Sequence, residues 1–374
     1  MVEYIKANIK DKADIIDFIN YVFSQNGTPH DFKKLAPKSY ADHINDLGAE
    51  HYMVKDDGRI KAIVANRIVK MNIYGHTLTV GLIGNVAVHP YSRGNGYMSD
   101  LLNMAIEDAK TKDIDILALG GQRQRYGYFG FEPGGYRFCF RLTDSNIRHA
   151  LTEIDVSDIR FSELKAENTD LIDFAYSLYV QRSVHTIRTR ESFLDIVHSW
   201  NSRCRIIYKN SQCIGYILDN ATEIVLLNES DFPEVLKALF LQDNIKDINI
   251  YISPHERERI VFLSNICENH TISSVEMLNI LNWKKVIETA LFYKSKYTFL
   301  KDGKADILIE GKGYRVSVKD NVPVVEETDW KQGIVLSHRQ AEKMFFGLNT
   351  LVFNDEGLKN WCPLPFHLDR ADMY

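Results

Sequence analysis

The segment 92–96, of sequence SRGNG, has the residue types that can hold a phosphate group. It lies between a strand-like run, 85–88, and a run of helical spacing that begins near Asn95. A helix N-terminus presents N–H groups without partners and the positive end of the helix dipole, and glycine lets the backbone approach a phosphate oxygen closely. Arg93 can add charge-assisted hydrogen bonds. The sequence RGNG also suits an ordinary turn, so the flanking elements are needed to distinguish a phosphate-binding loop from a turn.

The elements around this loop are those of an α/β unit. Upstream, alternating runs are joined by turn signals at 56–58 (DDG) and 74–75 (YG), which predict hairpins of an antiparallel meander. Downstream, a strand-like run at 113–120 precedes the segment 126–131, YGYFGF. Between these, apolar residues recur at helical spacing: Met98, Leu101, Leu102, Ala105, Ile106 and Ala109.

Together the strand NVAVHP, the glycine loop and the segment YGYFGF resemble the GNAT superfamily of acetyl-CoA-dependent N-acetyltransferases. In that superfamily the first segment holds the pantetheine and the pyrophosphate, and the tyrosine segment brings a phenol to the thioester sulfur. The family loop usually begins with Gln or Arg where this chain has Tyr91, which weakens one possible phosphate contact but leaves Arg93 and the backbone amides. The resemblance implies acetyl-CoA as cosubstrate, bound by Val86, Ala87, Val88, Arg93, Gly94, Asn95, Gly96, Tyr97, Met98, Gly121 and Gln122.

From about residue 150 the order of elements restarts, but HERERIV (255–261) stands where the first unit has its glycine loop. Charged side chains there predict a degenerate second copy. The last hundred residues change again, to polar hairpin strands between helices. This three-part layout resembles the Eis (enhanced intracellular survival) family. It implies an α/β (α+β) fold with mixed-sheet GNAT-like domains at 1–145 and 146–274, a sterol-carrier-protein-like α+β domain at 275–374, and a hexamer.

Acetyl transfer to an amine requires that the amine lose a proton and that the leaving thiolate gain one. Tyr126 is the candidate acid, because a phenol with a pKa of about 10 can donate to a thiolate whose acid has a pKa of about 8.5. The alternative is a tyrosine packed in the core beside Tyr128, Phe129 and Phe131.

The base is harder to find. Many members of the superfamily use a glutamate on the strand before the loop, but 79–88 contains no acid. The resemblance implies the terminal carboxylate instead, which here belongs to Tyr374. Its ordinary pKa of about 3.5 would have to rise by desolvation, or the group would act through a water. A frayed terminus is the alternative interpretation, and His89 and His30 are competing bases.

The acceptor site is predicted at the loop 24–32, which tends to wall that site in this fold. His30 and Asp31 are candidates for contact with a polar amine, unless they are simply solvated. Asp369, Asp372 and the terminal carboxylate predict an acidic mouth, which suits a polyamine or an aminoglycoside, although acids near a terminus are often only a solvated tail.

Composition excludes several other classes. Lys and Arg total 45 against 50 Asp and Glu, and no basic run stands out, which disfavours a nucleic-acid partner. No apolar run is long enough for a membrane span, and the N-terminus lacks the apolar region of a signal peptide. The five cysteines are scattered without zinc spacing, so we expect no metal and a cytoplasmic protein with reduced thiols.

The sequence thus predicts an enzyme, an acetyl-CoA-dependent N-acetyltransferase of a small-molecule amine. Two alternatives stay open. The chain could bind acyl-CoA without catalysis, as a sensor or scaffold, or its last domain could carry a lipid. The alternation of KADILIEGKGYRVSVKDN (304–321) argues against a large apolar cavity and so against the lipid carrier.

Overall fold

A computed structural model of the chain describes residues 1–25, 27–330, 332–351, 358 and 360–374, and within them four β-sheets are flanked by helices. The fold is therefore a mixed α/β structure with several sheets. In the described residues no helix is long and apolar enough to cross a membrane, and no group of three or more His, Cys, Asp and Glu could hold a metal ion.

The elements follow each other regularly along the chain. Up to residue 134 they are β1 (Val2–Lys6), α1 (Lys12–Ser24), α2 (Phe32–Leu35), α3 (Pro37–Tyr40), β2 (Glu50–Asp56), β3 (Arg59–Ile73), β4 (His76–Val88), α4 (Tyr97–Lys110), β5 (Ile116–Leu119), α5 (Arg123–Tyr126) and β6 (Glu132–Gly134). Next come β7 (Arg137–Thr143), α6 (Asp144–Ala150), β8 (Ile159–Glu163), α7 (Thr169–Val180), β9 (Val184–Thr186), α8 (Arg190–Val197), β10 (Cys204–Lys209), β11 (Gln212–Leu218), β12 (Ile224–Leu226), α9 (Phe232–Gln242), β13 (Asp247–Ile252), α10 (Arg257–Ile266) and β14 (His270–Ser273). The last are β15 (Glu276–Ile280), α11 (Trp283–Ser295), β16 (Gly303–Ile309), β17 (Lys312–Lys319), β18 (Val322–Thr328), β19 (Ile334–Leu336) and α12 (His338–Phe346).

The first sheet has the strand order β1-β2-β3-β4-β5-β15-β6, with β9 paired to β3 outside this path. The predicted hairpins are present: β2 and β3 pair as antiparallel neighbours across Asp57 and Gly58, and β3 and β4 across Tyr74 and Gly75. Strand β15 comes from the last third of the chain and pairs with both β5 and β6. Residues of 275–374 therefore complete a sheet that begins in 1–145.

Strands β4 and β5 separate near the middle of this sheet. Their parallel pairing covers only Val80–Leu82 and Ile116–Ala118. On the other side of β4, Ile63 pairs with Ala87 and Ala65 with Gly84, so β4 carries one extra residue in a bulge. A bulge bends its strand and increases the local twist. The bend turns the end of β4 away from β5, and a gap opens between the two strands.

Three further sheets complete the structure, with strand orders β12-β11-β10-β8, β13-β7-β14 and β18-β17-β16-β19. Helices α11 and α12 share one apolar core with the first sheet, with β16–β18 and with the terminal segment. In that segment residues 361–369 are all buried, as their sequence WCPLPFHLD allows, and a turn at Arg370–Asp372 follows. The chain end is thus packed into the fold.

Candidate functional site

A cavity of about 890 Å³ opens where β4 and β5 separate. Leu82–Val86 of β4 and Ala118–Gly120 at the end of β5 form one wall. Tyr126 and Tyr374, the predicted acid and base, both line this cavity. The fold therefore brings together two side chains that lie far apart in the sequence.

Tyr126 is the last residue of α5, the short helix that follows β5. Its side chain is only 7% exposed. Burial raises the pKa of its phenol, and the neighbouring Arg125 opposes the rise. A phenol whose pKa is above the ordinary value stays protonated at neutral pH, which is the state that a proton donor needs.

The ring of Tyr374 lies directly on the backbone of β4. A Cβ placed on Gly84 would stand 2.2 Å from two carbons of that ring, so only glycine leaves room for it. The Tyr374 hydroxyl is 2.7 Å from the Tyr40 hydroxyl. Burial raises the pKa of the Tyr374 phenol to about 12, so this phenol is protonated at neutral pH and cannot be the base.

The backbone beside Tyr374 is also held. Trp200 Nε1 donates to the Met373 carbonyl oxygen at 3.3 Å, and Lys38 Nζ donates to the same oxygen. Arg67 Nη1 donates to the carbonyl oxygen of Asp372 at 3.2 Å. The alternative of a frayed terminus is therefore wrong.

Tyr40 connects this terminus to two other buried groups. Its hydroxyl accepts a hydrogen bond from Asn85 Nδ2 at 2.6 Å and lies 2.9 Å from His51 Nε2. Asn85 is the bulged residue of β4, with a φ of 45°. None of these three residues was predicted as part of the site, although a Gly-Asn pair in an otherwise apolar strand is a recognisable signal for a bulge.

The prediction that Asp369 and Asp372 make the mouth acidic is wrong. Asp372 is fully buried and accepts hydrogen bonds from Arg188 Nε at 3.1 Å and Nη2 at 2.8 Å. Asp369 is also buried and accepts from Arg182 Nη1 and the Tyr179 hydroxyl, both at 2.8 Å. These carboxylates are neutralised inside the fold, because two arginines from the middle of the chain pack against the terminal segment.

Of the base and acceptor candidates His30, Asp31 and His89, only His30 lines the cavity, with Nδ1 2.7 Å from the Thr28 carbonyl oxygen. Asp31 lies outside the lining, 3.5 Å from Lys34 Nζ. His89 is also outside it, because its ring stacks on Tyr21 and its Nδ1 accepts from the Tyr91 N–H. Residue 26 of the predicted acceptor loop lies outside the described residues.

The glycine loop lies at the surface between β4 and α4. Helix α4 begins at Tyr97, slightly later than predicted, because Gly96 adopts the left-handed conformation, with a φ of 79°, and caps the helix. Within the part of the chain that the structure describes, the N–H groups of 93–98 donate no hydrogen bond. A Cβ placed on Gly96 would have Asp100 Oδ2 as its nearest neighbour, at 4.0 Å. The Tyr4 hydroxyl donates a hydrogen bond to that oxygen. The loop thus fits the phosphate-binding role physically.

The other predicted acetyl-CoA contacts differ in position. Val86 lines the cavity, whereas the Ala87 side chain packs in the core against α1. Gly121 and Gln122 are exposed and are not part of the lining, although Gly120 just before them is. Contacts of Ala87 and Gly121 with a ligand would therefore be made by the backbone.

The free energy of unfolding below pH 7 should depend on the protonation of His51. Burial lowers the pKa of His51, and of the remote His255, to about 4. An unfolded histidine has a pKa of about 6.5, so unfolding takes up a proton at each site between these values, and the free energy of unfolding falls by up to about 1.4 kcal/mol per pH unit for each histidine as the pH drops. Urea unfolding between pH 7 and pH 4 measures this slope.

The variants His51→Gln and His255→Gln should each reduce, by a similar amount, the fall in the free energy of unfolding between pH 7 and pH 4. Only His51→Gln should also lower activity, because His51 is the one of these two histidines that contacts Tyr40. An unchanged slope in both variants would show that neither histidine is held neutral by the fold.

Comparison with known proteins agrees with this geometry. Residues 3–134 match the family model described as an acetyltransferase (GNAT) domain, and no curated protein matches the chain. A GCN5-related N-acetyltransferase from Anabaena variabilis superposes with a TM-score of 0.65 at 14% identity, covering 98% of this chain and 94% of that one. Eis1 from Mycobacterium abscessus superposes with a TM-score of 0.60 at 13% identity, covering 91% and 88%. Because residues 3–134 match an acetyltransferase domain model, the protein is a transferase with acetyl-CoA as cosubstrate.

Proposed function

We propose that the protein acetylates the amino group of a small molecule by direct transfer from acetyl-CoA. The observation that carries this proposal is that Tyr126 and Tyr374 line one cavity at the gap between β4 and β5. Acetyl-CoA supplies an activated acetyl thioester there. The chain then has to hold that molecule, take a proton from the amine and give one to the leaving sulfur.

The loop 93–98 holds the pyrophosphate through its unpaired N–H groups and Arg93, and the edge of β4 at 86–88 takes up the pantetheine arm. Gly121 and Gln122, between β5 and α5, add further contacts to acetyl-CoA. Tyr126 donates its proton to the leaving thiolate. Its raised pKa keeps that proton available at neutral pH.

The terminal carboxylate of Tyr374 takes the proton from the amine, directly or through a water. The ring over Gly84 and the hydrogen bond to Tyr40 fix the position of Tyr374, which lines the cavity. Partial desolvation raises a carboxylate pKa toward that of a useful base. His30 is the alternative base, since it lines the same cavity.

We further propose that the whole chain belongs with the Eis family. The shared fold with Eis1 over 91% of this chain supports that assignment. On this proposal, 1–145 is the catalytic domain, 146–274 a degenerate copy, and 275–374 a sterol-carrier-protein-like domain that also contributes β15 to the first sheet. Assembly into a hexamer and a reducing, cytoplasmic location follow from the same resemblance and from the scattered cysteines.

The test is acetyl-CoA consumption with a panel of amines, read as thiol release and as the mass of the product. The native chain is compared with one extended by two residues past Tyr374. The matched control carries the same two residues before Met1, which is exposed. Loss of turnover in the first variant alone, with acetyl-CoA binding retained, supports the terminal carboxylate. Equal activity moves the role of base to His30. Absence of turnover with every amine, with acetyl-CoA bound, favours a non-catalytic acyl-CoA-binding protein.

Replacing Gly96 with valine should weaken acetyl-CoA binding. Gly96 has a φ of 79°, and forcing a β-branched residue into this region costs about 1–3 kcal/mol. The loop will relax away from its binding shape, and we expect the Kd to rise about 10- to 100-fold. Calorimetric titration measures the change.

Gly58→Val is the matched control. Gly58 has a φ of 75° in the β2–β3 hairpin turn, and nothing would contact an added Cβ there. It should lose similar stability with an unchanged Kd. Equal weakening in both variants would attribute the effect to general destabilisation and would count against a phosphate site at Gly96.

A further inference from the structure

One wall of the cavity carries excess positive charge. Arg137 begins β7, Glu276 begins β15 and Arg370 begins the terminal turn, and all three line the cavity. They interact with one another: burial raises the pKa of Glu276, and Arg137 and Arg370 both oppose that rise. Among these three side chains, two guanidinium groups stand against one carboxylate.

These two arginines have few other partners. Arg137 Nε donates to Ser273 Oγ at 3.4 Å, and its guanidinium carbon lies 4.4 Å from the centre of the Tyr251 ring. Among the described residues neither Arg137 nor Arg370 forms an ion pair, and the Arg370 side chain forms no hydrogen bond. The remaining N–H donors of the two guanidinium groups are therefore available to a ligand.

We infer that Arg137 and Arg370 form a subsite for a carboxylate, which makes the acceptor a small amine that also carries a carboxylate group. This inference rests on the proposed acetyl transfer. An arginine fork binds a carboxylate through two parallel N–H donors. One negative charge matches the excess of one positive charge among Arg137, Arg370 and Glu276, whereas a phosphate of charge about −2 exceeds it.

The subsite lies close to the reacting groups. A carboxylate oxygen of Glu276 is 3.3 Å from the position of a Cβ on Gly120, at the end of β5 and just before the helix that carries Tyr126. Arg370 belongs to the same terminal segment as Tyr374. An amine and a carboxylate on one short molecule, as in an amino acid, can therefore reach the terminal carboxylate and the arginines at once.

Matched pairs of amines that differ only in a carboxylate test the inference: lysine with cadaverine, and phenylalanine with phenethylamine. We expect kcat/KM to favour the amino acid in at least one pair by about 10- to 100-fold, the range for charge-assisted hydrogen bonds. Arg370→Gln should remove this preference by raising KM for the amino acid and leave the decarboxylated amine unaffected. Arg370 is exposed, so the variant should fold.

Arg141→Gln is the matched control, since Arg141 lies on the same strand as Arg137 but pairs with Asp247 at 3.5 Å outside the cavity. Equal or better turnover of the decarboxylated amines or of an aminoglycoside, or a preference that survives Arg370→Gln, overturns the subsite.

If no amine is acetylated, calorimetry with N-acetyllysine and N-acetylcadaverine in the presence of CoA separates the proposed subsite from the proposed catalysis. Selective, Arg370-dependent binding of N-acetyllysine keeps the subsite while the proposed catalysis falls, and equal or absent binding rejects the subsite too.

Discussion

Replacing Tyr126 with phenylalanine should lower kcat for acetyl transfer by about 10²- to 10⁴-fold, the range that general acid–base catalysis contributes. The change removes only the hydroxyl, so the ring should still fill its buried position. Without that hydroxyl the thiolate must leave without protonation by the chain. The Kd for acetyl-CoA should stay unchanged, because the proposed binding groups are backbone N–H groups and Arg93. Steady-state kinetics with a saturating amine, together with calorimetry, measure both quantities.

Tyr128→Phe is the matched control. Tyr128 is two positions further along the chain and is 90% exposed. It should keep the native kcat. If Tyr126→Phe also keeps it, the leaving thiolate needs no acid from the chain, and Tyr126 is only a packing residue. The alkaline limb of the kcat profile is a further measure, since in the native chain activity should fall as the pH passes the raised pKa of Tyr126, and the variant should lack this limb.

Replacing Gly84 with alanine should lower kcat by about 10²-fold, the effect of a misplacement of about 1 Å at a reacting centre. The added methyl would stand 2.2 Å from carbons of the Tyr374 ring, so the ring has to move. The hydrogen bond between the hydroxyls of Tyr374 and Tyr40 should be strained or broken by the same movement. Acetyl-CoA binding should remain, since the glycine loop is untouched.

Gly81→Ala controls for the crowding of this strand. A Cβ on Gly81 would also be too close to its neighbours, 2.5 Å from Asn66 Oδ1 and 2.6 Å from Leu117 Cδ2, but those are the ends of side chains outside the cavity. It should reduce stability and leave kcat nearly native. Equal loss of kcat in both variants would mean that the whole strand, and not the position of Tyr374, sets the activity.

The sequence predicted the parts of the site that depend on local patterns. The hairpins of the first sheet, the strand–loop–helix around Gly94 and Gly96, and the position of Tyr126 after β5 are all encoded by neighbouring residues. The entry of β15 between β5 and β6 was not predicted. A pairing such as Glu276 with Gly134 joins residues far apart in the sequence, and no local pattern records it.

Electrostatic predictions failed for a related reason. Asp369 and Asp372 appear in the sequence as acids beside the end of the chain, and their partners Arg182 and Arg188 lie in a different part of it. Burial and pairing, which decide whether a carboxylate contributes charge to a cavity, are properties of the folded chain. The same holds for Arg137, Arg370 and Glu276, which the sequence analysis did not select.

The position of β15 also has a consequence for synthesis on the ribosome. When residues 1–134 have emerged, β5 and β6 lack the strand that lies between them, and each exposes an unpaired edge. Such edges pair readily with other chains. The catalytic sheet therefore closes only after the nascent chain has been extended past residue 280, late in translation. A chaperone that shields the open sheet, or a pause before β15, would change the yield of enzyme without changing a single contact in the finished fold.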